Sequence, residues 1–200
     1  MLKIIDLRTN LFGPISISIE AGGCIAILGP SGSGKSLFLR AVVDLDLNEG
    51  QVSLGGDRRE SMPANLWRRL VGLVPAESGW WSERVADHFT PSNDLTAMLA
   101  SIGLPDALDW EVSRLSSGER HRLAIVRALC LSPKALLLDE PTAALDEVAT
   151  EAVEALIRTQ CRQGVAVILV THDHAQAERL ATSRYLMKRG ALQLDGSQSP

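Results

Sequence analysis

The strongest constraint on this chain is an eight-residue stretch, GPSGSGKS, at Gly29–Ser36. It follows the apolar run CIAIL and precedes the helically spaced SLFLRAVVDL. Strand, glycine-rich turn and helix, in that order, form the setting in which G-x-x-x-x-G-K-[ST] holds phosphate. Glycines let backbone N–H groups converge on phosphate oxygens, and the helix N-terminus adds positive potential. The candidate cradle is Gly29, Pro30, Ser31, Gly32, Ser33, Gly34, Lys35 and Ser36, with Leu37 next in the helix. Lys35 brings a point charge to the β and γ phosphates, and Ser36 a hydroxyl to Mg²⁺. An ordinary Gly/Ser turn with a chance lysine would lack these flanks. The motif implies a nucleoside triphosphate and Mg²⁺, without saying what the energy does.

Other short apolar runs, ALLLD and VAVILV, stop abruptly at Asp-Glu and Thr-His. Runs of that length and boundary suit strands buried on both faces of a parallel sheet. They alternate with helical patterns, which implies an α/β fold with a mainly parallel sheet. ISISIE alternates apolar and polar, as a half-exposed antiparallel N-terminal strand would. NEGQVSLGG reads as a turn and return strand, and RRLVGLVP as a strand stopped by Pro75. The stretch 78–114 holds turn formers, tryptophan and short helical patterns, so it reads as a small helical insertion in a single domain spanning 1–200. RYLMKRGALQL reads as a hairpin turning at Arg189-Gly190, and the tail DGSQSP as disordered.

The net charge of −4 argues against a broad basic surface for nucleic acid. Cys24, Cys130 and Cys161 form no CxxC pair and read as small buried groups rather than a disulfide or zinc framework. The N-terminus does not resemble a signal peptide. No apolar run has the length of a membrane span, so any membrane connection goes through a partner.

ALLLDEP puts two carboxylates at the C-terminal end of a strand, the edge where open α/β sheets bind ligands. Asp139 can hold Mg²⁺, and Glu140 can take a proton from an attacking water. By itself, the pair could be an acidic helix cap. LSSGERHR at Leu115–Arg122 then completes a pattern: phosphate loop, signature and Asp-Glu strand, in that order. In this the chain resembles the ATP-binding cassette (ABC) ATPases, whose signature is LSGGQ, one further position, then Gln-Arg. A plain capping arrangement of Ser and Glu would explain the segment locally but not the order. TAALD, ending at Asp146, resembles the family's D-loop, and VILVTHD places His172 as its switch histidine. His174 reads as a solvated helix residue.

The resemblance covers nearly the whole chain and implies the ABC ATPase fold, a phosphate-loop core carrying a helical subdomain. It implies an ATP hydrolase with Lys35, Glu140 and His172 catalytic. Ser116, Ser117, Gly118, Glu119 and Asp146 would meet ATP; Ser36 and Asp139 would hold Mg²⁺, and Glu77, beside the position where the family has glutamine, is a further candidate for the metal. It also implies a head-to-tail dimer, with each ATP between one chain's Gly29–Ser36 and the other's Leu115–Glu119. A permease subunit would be the membrane partner, with the chain on the membrane's cytoplasmic face. Non-transport cassettes usually carry extra coiled coils, zinc cysteines or basic extensions, and none is visible here. A weakly hydrolysing regulatory module is the other alternative.

The chain departs from the family pattern at several points. Ala76 stands where the family has glutamine, with Glu77 next to it as a substitute. Ser117 and Glu119 replace a glycine and a glutamine of the signature. No Tyr or Trp lies upstream of the loop to stack on adenine, which leaves Arg8 or Phe12. In the family, the segment after the glutamine faces the permease, and here it holds adjacent Trp80 and Trp81. Neighbours in sequence cannot both face one core, so either one docks a partner or both pack within the lobe. Trp67 and Trp110 read as local packing.

Overall fold

The computed structural model describes residues 1–196, so most of the tail expected to be disordered lies outside the described residues. Alternation within three fully buried strands builds two cores on opposite faces of one sheet. The strands are β3 (Cys24–Leu28), β7 (Ala135–Asp139) and β8 (Ala166–Val170). Ile25, Ile27, Leu137, Ile168 and Val170 point to one face. Cys24, Leu136, Leu138, Val167 and Leu169 point to the other. A period of two, apolar on both phases, leaves such strands no solvent face, so each side must be covered.

These strands sit in a sheet ordered β10-β9-β3-β8-β7-β6. β6 (Val71–Val74) pairs parallel with β7, and β9 (Ser183–Lys188) parallel with β3. β10 (Ala191–Leu194) returns antiparallel through Arg189 and Gly190, the expected hairpin. The first core is closed by α1 (Lys35–Val42) and by a separate antiparallel sheet, ordered β2-β1-β4-β5. That sheet comprises β1 (Leu2–Arg8), β2 (Ile15–Ile19), β4 (Glu49–Leu54) and β5 (Asp57–Arg58). β2 has the buried–exposed alternation read from ISISI.

The second core is closed by α3 (Leu95–Ser101), α4 (Ser117–Leu129) and α5 (Glu147–Arg162). α6 (His174–Leu180) buries Ala177 against Ala26 and Leu28. Cys24 and Cys130 are buried as expected, but Cys161 is only half-buried.

Two elements differ from the sequence expectation. RRLVGLVP is a strand only over Val71–Val74, because Arg68–Leu70 form the last turn of α2 (Ala64–Leu70). Arg68 donates to the carbonyls of Val43 and Asp44 and Trp67 to that of Val42, which ties that turn to the end of α1. Trp67 is fully buried there. The insertion is less helical than its composition suggests. Only α3 is α-helical, and the rest is short 3₁₀ turns at Val85–His88, Ala107–Asp109 and Val112–Arg114. Its two ends are joined by Val85 N–H to Trp110 carbonyl at 3.0 Å and Val112 N–H to Glu83 carbonyl at 2.8 Å.

Candidate active site

Parallel register sets Ile27, Val170 and Asp139 side by side in one row across β3, β8 and β7. The residues just beyond that row therefore share one sheet edge: Gly29 onward, Glu140, and His172. The phosphate loop can be built only from glycine at its start. Gly29 has φ +146°, and a Cβ there would stand 2.3 Å from the Met187 carbonyl oxygen. Gly34, at φ +107°, opens α1. Gly190 N–H donates to the Ser33 carbonyl, which braces the loop from the hairpin. Lys35 is buried and its Nζ donates to the carbonyls of Gly29 at 2.7 Å and Pro30 at 3.0 Å. Those carbonyls hold the ammonium inside the loop, where phosphate oxygens can compete for it. Ser36 is exposed beside it, and the Ser33 hydroxyl is buried with no partner.

Asp139 is 6% exposed. Burying a carboxylate without a partner is unfavourable, and no described side chain hydrogen-bonds to it. That suits a hydrated cation. A hydroxyl and one carboxylate, from Ser36 and Asp139, form the kind of partial set that Mg²⁺ completes with phosphate oxygens and water. Among the described residues, no cluster of three or more His, Cys, Asp or Glu forms a metal site on its own.

Glu140 adopts φ +52°, a left-handed conformation that costs a non-glycine residue about 1–3 kcal/mol. Its N–H donates to the Val170 carbonyl at 2.9 Å, and the turn aims its carboxylate at His172. Glu140 Oε2 lies 2.7 Å from His172 Nδ1. An ionised carboxylate only accepts, so Nδ1 carries the proton and Nε2 faces outward. The His172 side chain is 70% exposed, and Glu140 is half-sheltered. Sequence reasoning did not anticipate the support from Gln176. It is fully buried on α6 and donates to Thr142 Oγ1 at 2.8 Å, tying the segment after Glu140 to the segment after His172.

The signature residues lie elsewhere in the same chain. Gly118 packs on Ala144 and Leu145, where a Cβ would meet both at 3.0 Å. Ser116 and Ser117 are exposed. The capping arrangement is present: Glu119 N–H donates to Ser116 Oγ, and Ser116 N–H to Glu119 Oε2 at 2.8 Å. The Ser116 backbone N–H, chief among several contacts, holds the Glu119 carboxyl below the usual range. Glu119 is thus turned back to its own helix end, beside the exposed Ser117. Asp146 caps α5, accepting from Ala149 N–H at 2.8 Å.

Ala76 and Glu77 are exposed on the loop after β6, and Glu77 has no hydrogen bond or ion pair among the described residues. The residue that sequence reading missed is His121, on α4. Its ring is half-buried, with Nε2 sealed from solvent and without a hydrogen-bond partner, near the Ala76 backbone and in the field of Asp139. Burial pushes its pKa below the ordinary value, against the pull of those two groups. The available signal was the occurrence of His where the family signature has glutamine. Arg8 pairs with Glu49 at 2.7 Å, and Phe12 is buried edge-on against Phe38, so Phe12 is a packing residue.

The two adjacent tryptophans divide their roles. Trp80 is half-buried against the second core. Trp81 is 72% exposed and lines a groove of about 300 Å³ with Val74, Ala124, Arg127 and Leu131. His88 stands edge-on to both rings, at 4.7 and 4.4 Å, with its Nδ1 buried and unpartnered.

The chain is similar to several known proteins. The ABC transporter family model matches residues 12–143. A probable anion import ATP-binding protein of Haloferax volcanii is 35% identical, over 84% of this chain and 68% of its own. The glutamine transport ATP-binding protein GlnQ of Bacillus subtilis is 32% identical, over 89% of this chain and 81% of its own. The chain spans less of some other relatives, such as 53% of a sulfate/thiosulfate import ATP-binding protein of Chromobacterium violaceum. The solved structure of an ATP binding subunit of an ABC transporter superposes with a TM-score of 0.84, covering 96% of this chain and 89% of that one, at 24% identity.

Proposed function

The chain belongs to the ABC transporter family, and from that premise we propose that it powers solute import through a separate membrane permease by binding and hydrolysing ATP. It is an ABC-type ATPase. The observation that carries the proposal is the shared sheet edge, where the phosphate loop, Asp139 and the Glu140–His172 contact converge. Import is the role named for two of the relatives.

ATP phosphates enter the loop and draw Lys35 from the Gly29 and Pro30 carbonyls. Ser36 and Asp139 would hold Mg²⁺, which would supply positive charge against the phosphates. Glu140 orients a water and accepts its proton as the γ-phosphoryl group departs. His172 is held by Glu140 through Nδ1 and presents its outer face to the γ-phosphate. In this reading Glu77 has a secondary place beside the metal; unchanged activity in Glu77→Ala with a gain in Ala76→Gln would remove it.

The exposed Ser116 and Ser117 at the start of α4 support completion of the site by a second copy, head to tail. Trp81 and its groove support docking of the permease on the same chain. Among the described residues no helix is long and apolar enough to cross a membrane. In this reading the chain is a peripheral subunit at the membrane's cytoplasmic face. Affinity capture from detergent-solubilised membranes tests this reading. A polytopic membrane protein in stoichiometric amount supports it; capture of soluble proteins alone, or of ribosomes, moves the chain to a non-transport cassette.

A further inference from the structure

Glu140 and His172 follow different strands, β7 and β8, and the segments beyond them meet again at one buried amide. Gln176, on α6, is fully buried, and its Nε2 donates to Thr142 Oγ1 at 2.8 Å. Its Oε1 is sealed from solvent without a partner, so Thr142 is the one hydrogen-bond partner of this side chain among the described residues. A buried amide bonded at one end only is less favourable than an apolar residue of similar shape. Stability alone does not account for a glutamine here; a fixed register between two segments does. The rest of α6 is anchored independently. Ala177 packs on Ala26 and Leu28 of β3, the strand that leads into the phosphate loop. Arg179 forks onto Glu154 of α5, with Nη2 to Oε1 at 2.6 Å and Nε to Oε2 at 3.0 Å, and that carboxylate side chain is 3% exposed.

On its side of the bond, Thr142 lies in the turn that begins at Glu140. Ala143 N–H donates to the Glu140 carbonyl at 3.3 Å, and Leu145 N–H to the Thr142 carbonyl at 3.1 Å. The same turn carries Ala144 and Leu145, on which Gly118 of the signature packs. Glu140 itself is in the left-handed region, at φ +52°, and such a residue keeps its conformation only when its surroundings hold it there. We propose that Gln176 is a positioning residue for hydrolysis. Through Thr142 it fixes the turn after Glu140 against the helix after His172, and so keeps the 2.7 Å Glu140–His172 contact in register. The inference rests on the ATPase reading above, which gives that contact its task. With its far end clamped at Arg179, α6 is the fixed arm, and the turn at Thr142 is the part that Gln176 holds.

The test uses the full chain without nucleotide, read by amide hydrogen exchange, then with Mg-ATP, read by steady-state kinetics. A single net hydrogen bond is a factor of about five in a local opening equilibrium. Thr142→Val removes the acceptor with little change of shape. It is expected to speed exchange at the amides of Ala143 and Leu145 by about fivefold, leaving β3 and α5 unchanged. It lowers kcat by a similar factor, and KM stays close to wild type. Thr142→Ser keeps the hydroxyl and both wild-type readouts. Gln176→Leu breaks the same bond from the other side, with the same two effects, and combining it with Thr142→Val slows hydrolysis no further than the slower single variant. Unchanged exchange at 143–145 in both single variants overturns the proposal, and so does a change confined to KM. A serine variant as slow as the valine also overturns it, since packing of the methyl group would then explain the effect. Losses that multiply in the double variant do the same, because the two side chains would then act independently. If Gln176→Leu does not fold, the valine and serine variants carry the test. A wild-type chain that neither binds nor hydrolyses ATP overturns the functional reading, and exchange in the nucleotide-free protein still decides whether Gln176 holds the turn.

Discussion

Loop 29–34 and loop 75–81 both leave buried parallel strands at the same edge of one sheet, yet they are held by different means. The first is held by backbone. Gly29 sits against the Met187 carbonyl where no Cβ fits, Ser33 is bonded to Gly190, and Lys35 closes the turn on its own carbonyls. The second is held by side chains from a helix distant in sequence, chiefly Arg127 on Gly79 and the two tryptophans. A backbone-built loop has a nearly unique sequence. A loop held by remote side chains can have many, and its own residues do not reveal what holds it.

The largest effect expected is on the chemistry at the backbone-built edge. Glu140→Gln keeps the shape of the side chain and removes the proton acceptor, so kcat should fall by about 10²–10⁴ while ATP binding persists. Phosphate release with a fluorescent-nucleotide titration measures both. A loss under tenfold would take the base role away from Glu140. Next come the loops themselves. Gly29→Ala should destabilise by about 2–4 kcal/mol through strain and contact with Met187. Ala76→Gly should cost about 0.5 kcal/mol, since position 76 has no positive φ to satisfy. Equal melting temperatures for the two variants would erase the distinction drawn here.

The tryptophan pair sharpens the contrast within the second loop. Trp80→Ala, half-buried on the core, should cost about 2 kcal/mol, below the range for a fully buried aromatic. Trp81→Ala should change stability by about 0.5 kcal/mol or less, yet abolish capture of the membrane partner. Thermal melts paired with the capture assay separate these. The smallest effect is a pH dependence from His121. Its folded pKa lies below the ordinary 6.5, chiefly through burial. The unfolded chain therefore takes up the proton first, and the contribution is full above 6.5 and lost as pH falls below it. Wild type should lose more stability than His121→Gln between pH 7 and pH 5. Parallel curves would show that this imidazole does not titrate differently on folding.

Much of this was legible beforehand because it is written in local terms. CIAIL, ALLLD and AVILV have no polar phase, so each had to be a strand covered on both sides. The glycine spacing in GPSGSGKS named the loop. The abrupt Asp-Glu and Thr-His stops placed Asp139, Glu140 and His172 at strand ends. The insertion was harder to read. Its apolar residues are too short in run to propagate helix, so its single seven-residue α-helix and 3₁₀ turns depend on the bridges at both ends. Arg68–Leu70 were read as strand because they adjoin VGLV, and contacts with the end of α1 kept them helical.

By itself the sequence determined the strands, the phosphate cradle and the order of chemical groups along one sheet edge, since period-two burial and glycine-only backbone follow from steric rules acting within a few residues. Only the tertiary structure decided that Glu140 is aimed at His172 and that Trp80 packs while Trp81 stays exposed. Each of these depends on groups tens of residues apart in the chain, brought together by packing on a common sheet, and no local pattern records such a meeting.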